Sequence, residues 1–224
     1  NLFSFLREEN IKKTKMELNK IYNESNLETM AKMPDNFIDL TVTSPPYDNL
    51  RDYKGYSFPF EDIAKELYRV TKENGVLVWV VGDAVIDGSE SGTSFKQALF
   101  FIQCGFNLHD TMIYLKKQCP FPMSNRYNQV FEYMFVFSKG KPKTTNLIKV
   151  KTKYDVSELG KKSNHTTRDK DGSQSSMKYE MNKEFKTKDN VWEFGNGIGQ
   201  TTNDKIAFEH PAQFPEDLAK EHIY

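Results

Sequence analysis

Within this chain of 224 residues, Thr43-Ser44-Pro45-Pro46-Tyr47 is the stretch with the most specific chemical potential. Proline carries no N–H, and its ring fixes the backbone. Two in succession leave the carbonyls of Ser44 and Pro45 available to a cleft as hydrogen-bond acceptors. The Ser44 hydroxyl adds another acceptor, and Tyr47 adds a ring for stacking. Acceptors beside a ring suit a planar ligand that bears an NH₂ group. Hydrogen bonds accepted from that amine draw its hydrogens out of the ring plane, so its lone pair becomes less conjugated and more nucleophilic. A bare Pro-Pro pair is more often a rigid turn. This one directly follows a strand, and ligand sites in open α/β sheets lie outside the carboxyl ends of strands.

Other candidates are weaker. Gly82-Asp83 follows a second apolar run, which puts Asp83 at a strand end as well. Glu193-Phe-Gly195-Asn-Gly197-Ile-Gly199 imitates a cofactor loop. That pattern has meaning only between a strand and a helix. Val191-Trp192 is a short strand at best, and Gln200 to Lys205 is no helix start, so a flexible loop beside the cleft is expected. His109, His165 and His222 have no partners at metal or triad spacing, and no metal site is expected. Cys104 and Cys119 form neither a disulfide framework nor a metal site by their spacing.

The elements that must position these residues form an α/β pattern. Lys20 to Asn23 is a short strand candidate, and Leu27 to Met33 a short helix closed by Pro34-Asp35-Asn36. Phe37 to Thr43 is rich in β-branched residues and stops at the prolines. Phe60, Ile63, Ala64, Leu67 and Val70 form a helical stripe, ended by Asn74-Gly75. Val76 to Val81 is continuously apolar, a strand buried on both faces. Ser94 to Gln103 reads as helix. Met112 to Leu115 and Val130 to Phe137 read as strands. Pro215 to Ile223 reads as a helix with Pro at its start and Glu216 and Asp217 in its first turn. Strands alternating with helices predict a mostly parallel sheet covered on both sides.

Lys and Arg number 31, as do Asp and Glu, so the chain is formally neutral. The neutrality is a cancellation. Residues 139–190 hold 14 Lys and Arg against 7 Asp and Glu, an excess of seven positive charges, and the remainder is acidic to the same extent. This basic segment is poor in large apolar residues after Val156 and is expected to be irregular. Lys139, Lys141, Lys143, Lys149, Lys151 and Lys153 recur at near two-residue spacing, which would put them on one face of an extended strand. Phosphate contact is the functional reading of that face. No stretch approaches the roughly 18 apolar residues of a transmembrane helix, no membrane partner is expected, and a reducing cytoplasm is the expected compartment.

Thr-Ser-Pro-Pro-Tyr at residues 43–47 resembles the catalytic motif of the DNA methyltransferases that act on exocyclic amines. The surroundings are similar too: the strand Ile38 to Thr43, the helix Phe60 to Val70, Gly75-Val-Leu-Val-Trp79, Arg126 to Gly140, and His210-Pro211-Ala-Gln-Phe214-Pro215-Glu-Asp-Leu218. The order, with the catalytic motif first, resembles the circularly permuted β group. The resemblance implies a Rossmann-like, S-adenosylmethionine-dependent α/β fold. It divides the chain into an N-terminal extension (1–15), a first part of the core (16–139), a basic target-recognition insertion (140–190) and a return to the core (191–224). The family's glycine-rich cofactor loop would fall beyond Tyr224, so the last part is expected to be incomplete.

The resemblance also implies roles. Ser44, Pro45, Pro46 and Tyr47 would be catalytic and would hold a base flipped out of the duplex. Thr43, Glu24, Asp83, His210, Pro211, Phe214 and Pro215 would attend the cofactor, with Glu24 standing where the family tends to place Asp. Arg126, Lys139, Lys141, Lys143 and Arg168 would contact DNA. Ser rather than Asp before Pro-Pro favours cytosine N4 over adenine N6 as the target. Double-stranded DNA is the implied partner, and a cognate restriction endonuclease a candidate one. A prokaryotic or phage setting and a monomer or homodimer are expected. The alternative from another class is a truncated, non-catalytic DNA-binding relative; a structured-RNA methyltransferase is a third.

Overall fold

A computed structural model describes residues 16–46, 58–118, 125–153, 157, 160–180, 184–196, 199–209 and 213–223. They fall into two compact units, one within residues 1–144 and 190–224 and the other within Thr145–Asp189. The first unit is built in the order α1 (Asn26–Lys32), β1 (Ile38–Thr43), α2 (Phe60–Val70), β2 (Thr71–Val81), a small hairpin of β3 (Val85–Ile86) and β4 (Ser89–Glu90), α3 (Thr93–Cys104), β5 (Asn107–Lys116) and β6 (Phe131–Ser138). After the second unit come β11 (Val191–Phe194), a 3₁₀ turn (Lys205–Glu209) and α4 (Glu216–Ile223).

The main sheet has the order β1-β2-β6-β5-β11. It is a Rossmann-like α/β sheet in which four of the five strands run in the same direction and β6 runs against them. β1 and β2 run parallel, as do β5 and β11, whereas β6 lies antiparallel to both β2 and β5. A parallel return would need a crossover of a dozen or more residues, usually a helix. The sequence between β5 and β6 carries Pro120 and Pro122, which suit no crossover helix. One expectation is corrected: Lys20 to Asn23 forms no strand. β1 is half-buried, and among the described residues it is paired only on its β2 side.

The helix α2 forms where the apolar stripe predicts. Glu61 and Asp62 occupy its positive N-terminal end, and Ile63, Ala64, Leu67 and Val70 are buried on one face. β2 begins directly at Thr71, earlier than the apolar run alone suggests. Gly75 permits this path: a Cβ there would sit 2.9 Å from Lys72 O and 3.0 Å from Asp39 O. Leu77 to Val81 are all buried, as a strand covered on both faces requires. The aromatic content accounts for much of the core. Trp79, Phe101, Phe106, Phe135 and Phe137 form one cluster with the α2 stripe. The indole of Trp79 meets Phe101 edge-on with centroids 4.9 Å apart. Met134 alternates with Tyr133 and Phe135 and therefore faces the opposite side. There His222 of α4 reaches its sulfur at 3.1 Å and stacks on Trp192 at 4.8 Å.

The second unit is not irregular. It pairs β7 (Lys149–Lys151) with β10 (Phe185–Thr187), and β8 (Lys162–Arg168) with β9 (Gln174–Glu180), both antiparallel. Apart from Thr, which favours strands, β8 and β9 are built mostly of polar residues, and their described side chains are exposed, a pattern that hydropathy alone does not flag.

Candidate active site

Strand β1 delivers Ser44. Its last residue, Thr43, lies opposite Trp79 in the parallel pairing with β2, so the chain enters Ser44-Pro45-Pro46 from a rigid point of the sheet. Ser44 is half-buried and Pro45 is buried. The Ser44 hydroxyl has no hydrogen-bond partner among the described residues. Tyr47 lies outside the described residues.

These residues border a cavity of about 450 Å³. Ligand pockets of about 300–1,000 Å³ are typically apolar with a few polar groups that fix orientation, and this one fits the description. Met30, Met33, Ile38, Ile63, Leu67 and Trp79 supply the apolar wall. Tyr22, Glu24, Asn26 and Thr29 contribute polar groups from the N-terminal side of α1 and from the helix itself, and Thr41, Thr43, Ser44, Pro45 and Pro46 contribute from β1 and the turn after it. Thr41 Oγ1 is buried and lacks a hydrogen-bond partner among the described residues. Such an atom is expensive to leave unpaired, and a ligand able to donate to it would remove the cost.

Glu24 is held in place by its neighbours. Its carboxylate accepts from Lys32 Nζ at 2.6 Å and from Thr29 Oγ1 at 2.7 Å. Those two hydrogen bonds, that of Lys32 first, hold its carboxyl below the ordinary carboxylate range. The helix α1 that carries Thr29 and Met30 is clamped from below by Arg69, which donates to Met30 O at 2.7 Å, Met33 O at 3.0 Å and Asp35 Oδ1 at 2.8 Å.

Several residues expected at a site have other work. Asp83 lines no part of the cavity; its carboxylate accepts from Ser94 N at 2.9 Å, Ser94 Oγ at 2.5 Å and Ser91 Oγ at 3.1 Å, and so secures the first turn of α3. Lys139 is only 8% exposed. Its ammonium donates to Asn36 Oδ1 at 2.8 Å, Tyr68 O at 3.1 Å and Thr71 O at 3.2 Å. A buried, satisfied ammonium cannot meet a phosphate, so the expectation of DNA contact is corrected for Lys139. Arg126 donates to Gly88 O at 2.6 Å and lies 3.9 Å from Glu90, so it braces the β3–β4 hairpin. Lys139 to Lys153 do not form one continuous strand. Lys141 and Lys143 are exposed in the first unit, and Arg168 is exposed on β8 of the second. Phe214 is half-buried and Pro215 buried at the start of α4, away from the cavity lining. His210 and Pro211 lie outside the described residues. The stretch from Glu193 does follow a strand, since β11 is real, but a 3₁₀ turn rather than an α-helix comes after it. Asn196 ties it down through Gln118 N at 3.1 Å and Gln118 O at 3.2 Å.

Sequence reasoning overlooked Thr41, Tyr22, Asn26 and Phe58. For Thr41 a signal existed. It alternates with Thr43 on one face of β1, and two hydroxyls in succession on one face of a strand are unusual partners for a core. The others lie in segments without periodicity and carried no signal.

The comparisons with known proteins agree in kind. A family model described as DNA methylase, for N6 and N4 methyltransferases, matches residues 38–224. The orphan methyltransferase M.BamHII of Bacillus amyloliquefaciens is 58% identical over 188 residues, which is 83% of this chain and 70% of that protein. The type II methyltransferase M.BglII of Bacillus subtilis is 30% identical over 218 residues, 91% of this chain and 55% of that protein. Among solved structures, the PvuII DNA methyltransferase, specific for cytosine N4, superposes with a TM-score of 0.58 at 21% identity and covers 90% of this chain and 68% of its own. That last likeness is one of fold.

Proposed function

The chain belongs to the family of N6 and N4 DNA methylases, and on that premise we propose that it methylates the exocyclic N4 amine of cytosine at specific sites in double-stranded DNA. The family is that of S-adenosyl-L-methionine-dependent, site-specific DNA methyltransferases. The observation that carries the finer reading is Ser44, a hydroxyl without a hydrogen-bond partner among the described residues, at the carboxyl end of β1, followed by the buried Pro45 and open to a cavity of about 450 Å³.

The residues present fit the methyl donor. The cavity has the size and mixed lining of a nucleoside-binding pocket, and Thr41 Oγ1 awaits a donor. Glu24, Thr41 and Thr43 would hold the cofactor. When bound, it supplies a methyl group on a positively charged sulfur, activated for transfer to a nucleophile. The protein's own contribution lies on the acceptor side. Ser44 Oγ and the carbonyls beside the prolines accept hydrogen bonds from the target amine and localise its lone pair. The apolar wall keeps water from competing for the methyl group. No general base is required before transfer, because the amine becomes acidic only once methylated. Catalysis is then chiefly positioning in line with the donor. A base within a duplex is out of reach of such a site, so the target is extruded from the helix.

The serine before Pro-Pro supports cytosine over adenine. Incubation of the full-length protein with isotopically labelled S-adenosyl-L-methionine and unmethylated DNA, followed by nucleoside mass spectrometry, is expected to yield N4-methylcytosine. N6-methyladenine as the product would refute the choice of base, and labelled RNA alone would refute the choice of DNA.

A further inference from the structure

We propose that the β8–β9 hairpin is a major-groove reading ribbon, and that one of its two faces sets the sequence specificity of methylation. The inference rests on the DNA-methylating function above and deepens it.

The cross-strand register pairs Asn164 with Lys178, Thr166 with Ser176 and Arg168 with Gln174. Side chains alternate along a strand, so these six residues share one face. All six are exposed. None has a side-chain hydrogen bond or ion pair among the described residues. The other face is spent differently: Thr167 and Ser175 bond to each other at 3.0 Å, and Met177 is apolar.

Described side chains from Asn164 to Lys178 are exposed without exception. A two-stranded ribbon with no buried face is marginal by itself in water and adds nothing to a core, so its value to the molecule must be in what it meets. The chemistry of the six-residue face indicates the partner. It contains two cations and no carboxylate, which suits a polyanion. A surface for phosphates alone would need only cations. This one adds two carboxamides and two hydroxyls, and Asn, Gln and Arg are the side chains that form paired hydrogen bonds to adenine and guanine edges in the major groove. The groove, about 12 Å wide, admits a two-stranded ribbon. Successive rungs of the face are about 6.8 Å apart, close to two base-pair steps of about 3.4 Å each, so three rungs address about five base pairs. The tip is closed by its own bonds. Asp169 N donates to Ser173 O at 2.9 Å, and the Asp171 carboxylate accepts from Ser173 Oγ at 2.7 Å and Ser173 N at 3.0 Å. That carboxylate is therefore occupied rather than presented to DNA.

The test uses the full-length protein and genomic DNA, with modified positions mapped by sequencing. Arg168→Ala and Gln174→Ala are each expected to lower kcat/KM on the preferred site by about tenfold to a hundredfold. Each should also relax the base preference at one or two adjacent positions while leaving S-adenosyl-L-methionine affinity unchanged, which reports an intact fold. Thr167→Ala and Met177→Ala, on the opposite face, should leave the preferred site unchanged. An unaltered preference profile in the first pair would overturn the proposal, as would an equal loss on all sequences, which would mean phosphate contact only. Altered preference in the second pair would overturn the choice of face. Failure of the wild-type protein to methylate any DNA would count instead against the function on which the proposal rests.

Discussion

Thr43 and Trp79 are partners across the parallel pairing of β1 and β2, and through this relationship the core of the protein positions its reactive turn. Trp79 is 1% exposed, its ring is packed against Phe101, and its indole N–H donates to Gln97 Oε1 at 2.8 Å. The strand end that precedes Ser44 is thus registered against one of the largest fully buried side chains of the fold. Gln97→Leu would leave the buried indole N–H unpaired, at a cost of about 1–3 kcal/mol. Urea denaturation should show the loss as a lower midpoint with an unchanged slope.

Lys139 separates stability from DNA binding. Lys139→Met removes a buried ammonium that donates to three oxygens, of which Thr71 O is buried, and should cost about 3 kcal/mol of stability. The salt dependence of DNA binding, measured under conditions where the variant is folded, should not change. Lys141→Gln and Lys143→Gln should do the reverse, each reducing the slope of log K against log salt by about 0.9 with little effect on stability.

Thr41→Val replaces a buried hydroxyl that has no hydrogen-bond partner among the described residues by a methyl group of similar shape. The ligand-free protein should gain about 1 kcal/mol, because a desolvated polar atom is removed. Affinity for S-adenosyl-L-methionine, measured by calorimetry, should fall by about fivefold to tenfold, equivalent to one lost hydrogen bond.

The Glu24 carboxyl is depressed by its bonds to Lys32 and Thr29. A depressed folded-state carboxyl contributes stability that is fully present above its unfolded value of about 4.3 and is lost as pH falls through the folded value. The thermal midpoints of the wild-type protein and Glu24→Gln should therefore differ at neutral pH and converge as the pH is lowered below 4.3. A difference that persists unchanged into acid would assign the effect to packing rather than charge.

The elements that bear on the site were largely legible in the residues. The β-branched run into Pro45 located β1, the stripe from Phe60 to Val70 located α2, and the apolar run around Trp79 located the core of β2. Strand direction was not legible, because β6 looks the same in hydropathy whether it runs parallel or antiparallel. For Lys139 and Asp83 the residue type alone leaves the role open. Their types suit a ligand, but sequence does not disclose whether a carbonyl or a helix end already occupies them. The β8–β9 ribbon escaped notice because it buries nothing, and periodicity registers only what is buried.

The central claim is that Ser44 accepts a hydrogen bond from the target amine and so raises the rate of methyl transfer. The single-turnover rate of the full-length Ser44→Ala protein on its preferred DNA, with S-adenosyl-L-methionine affinity measured in parallel, tests it most directly. The expected result is a rate lowered by about a hundredfold to a thousandfold, as for loss of one preorganised group at a reacting centre, with cofactor affinity within about twofold of the wild type. A transfer rate near that of the wild type would contradict the role assigned to Ser44.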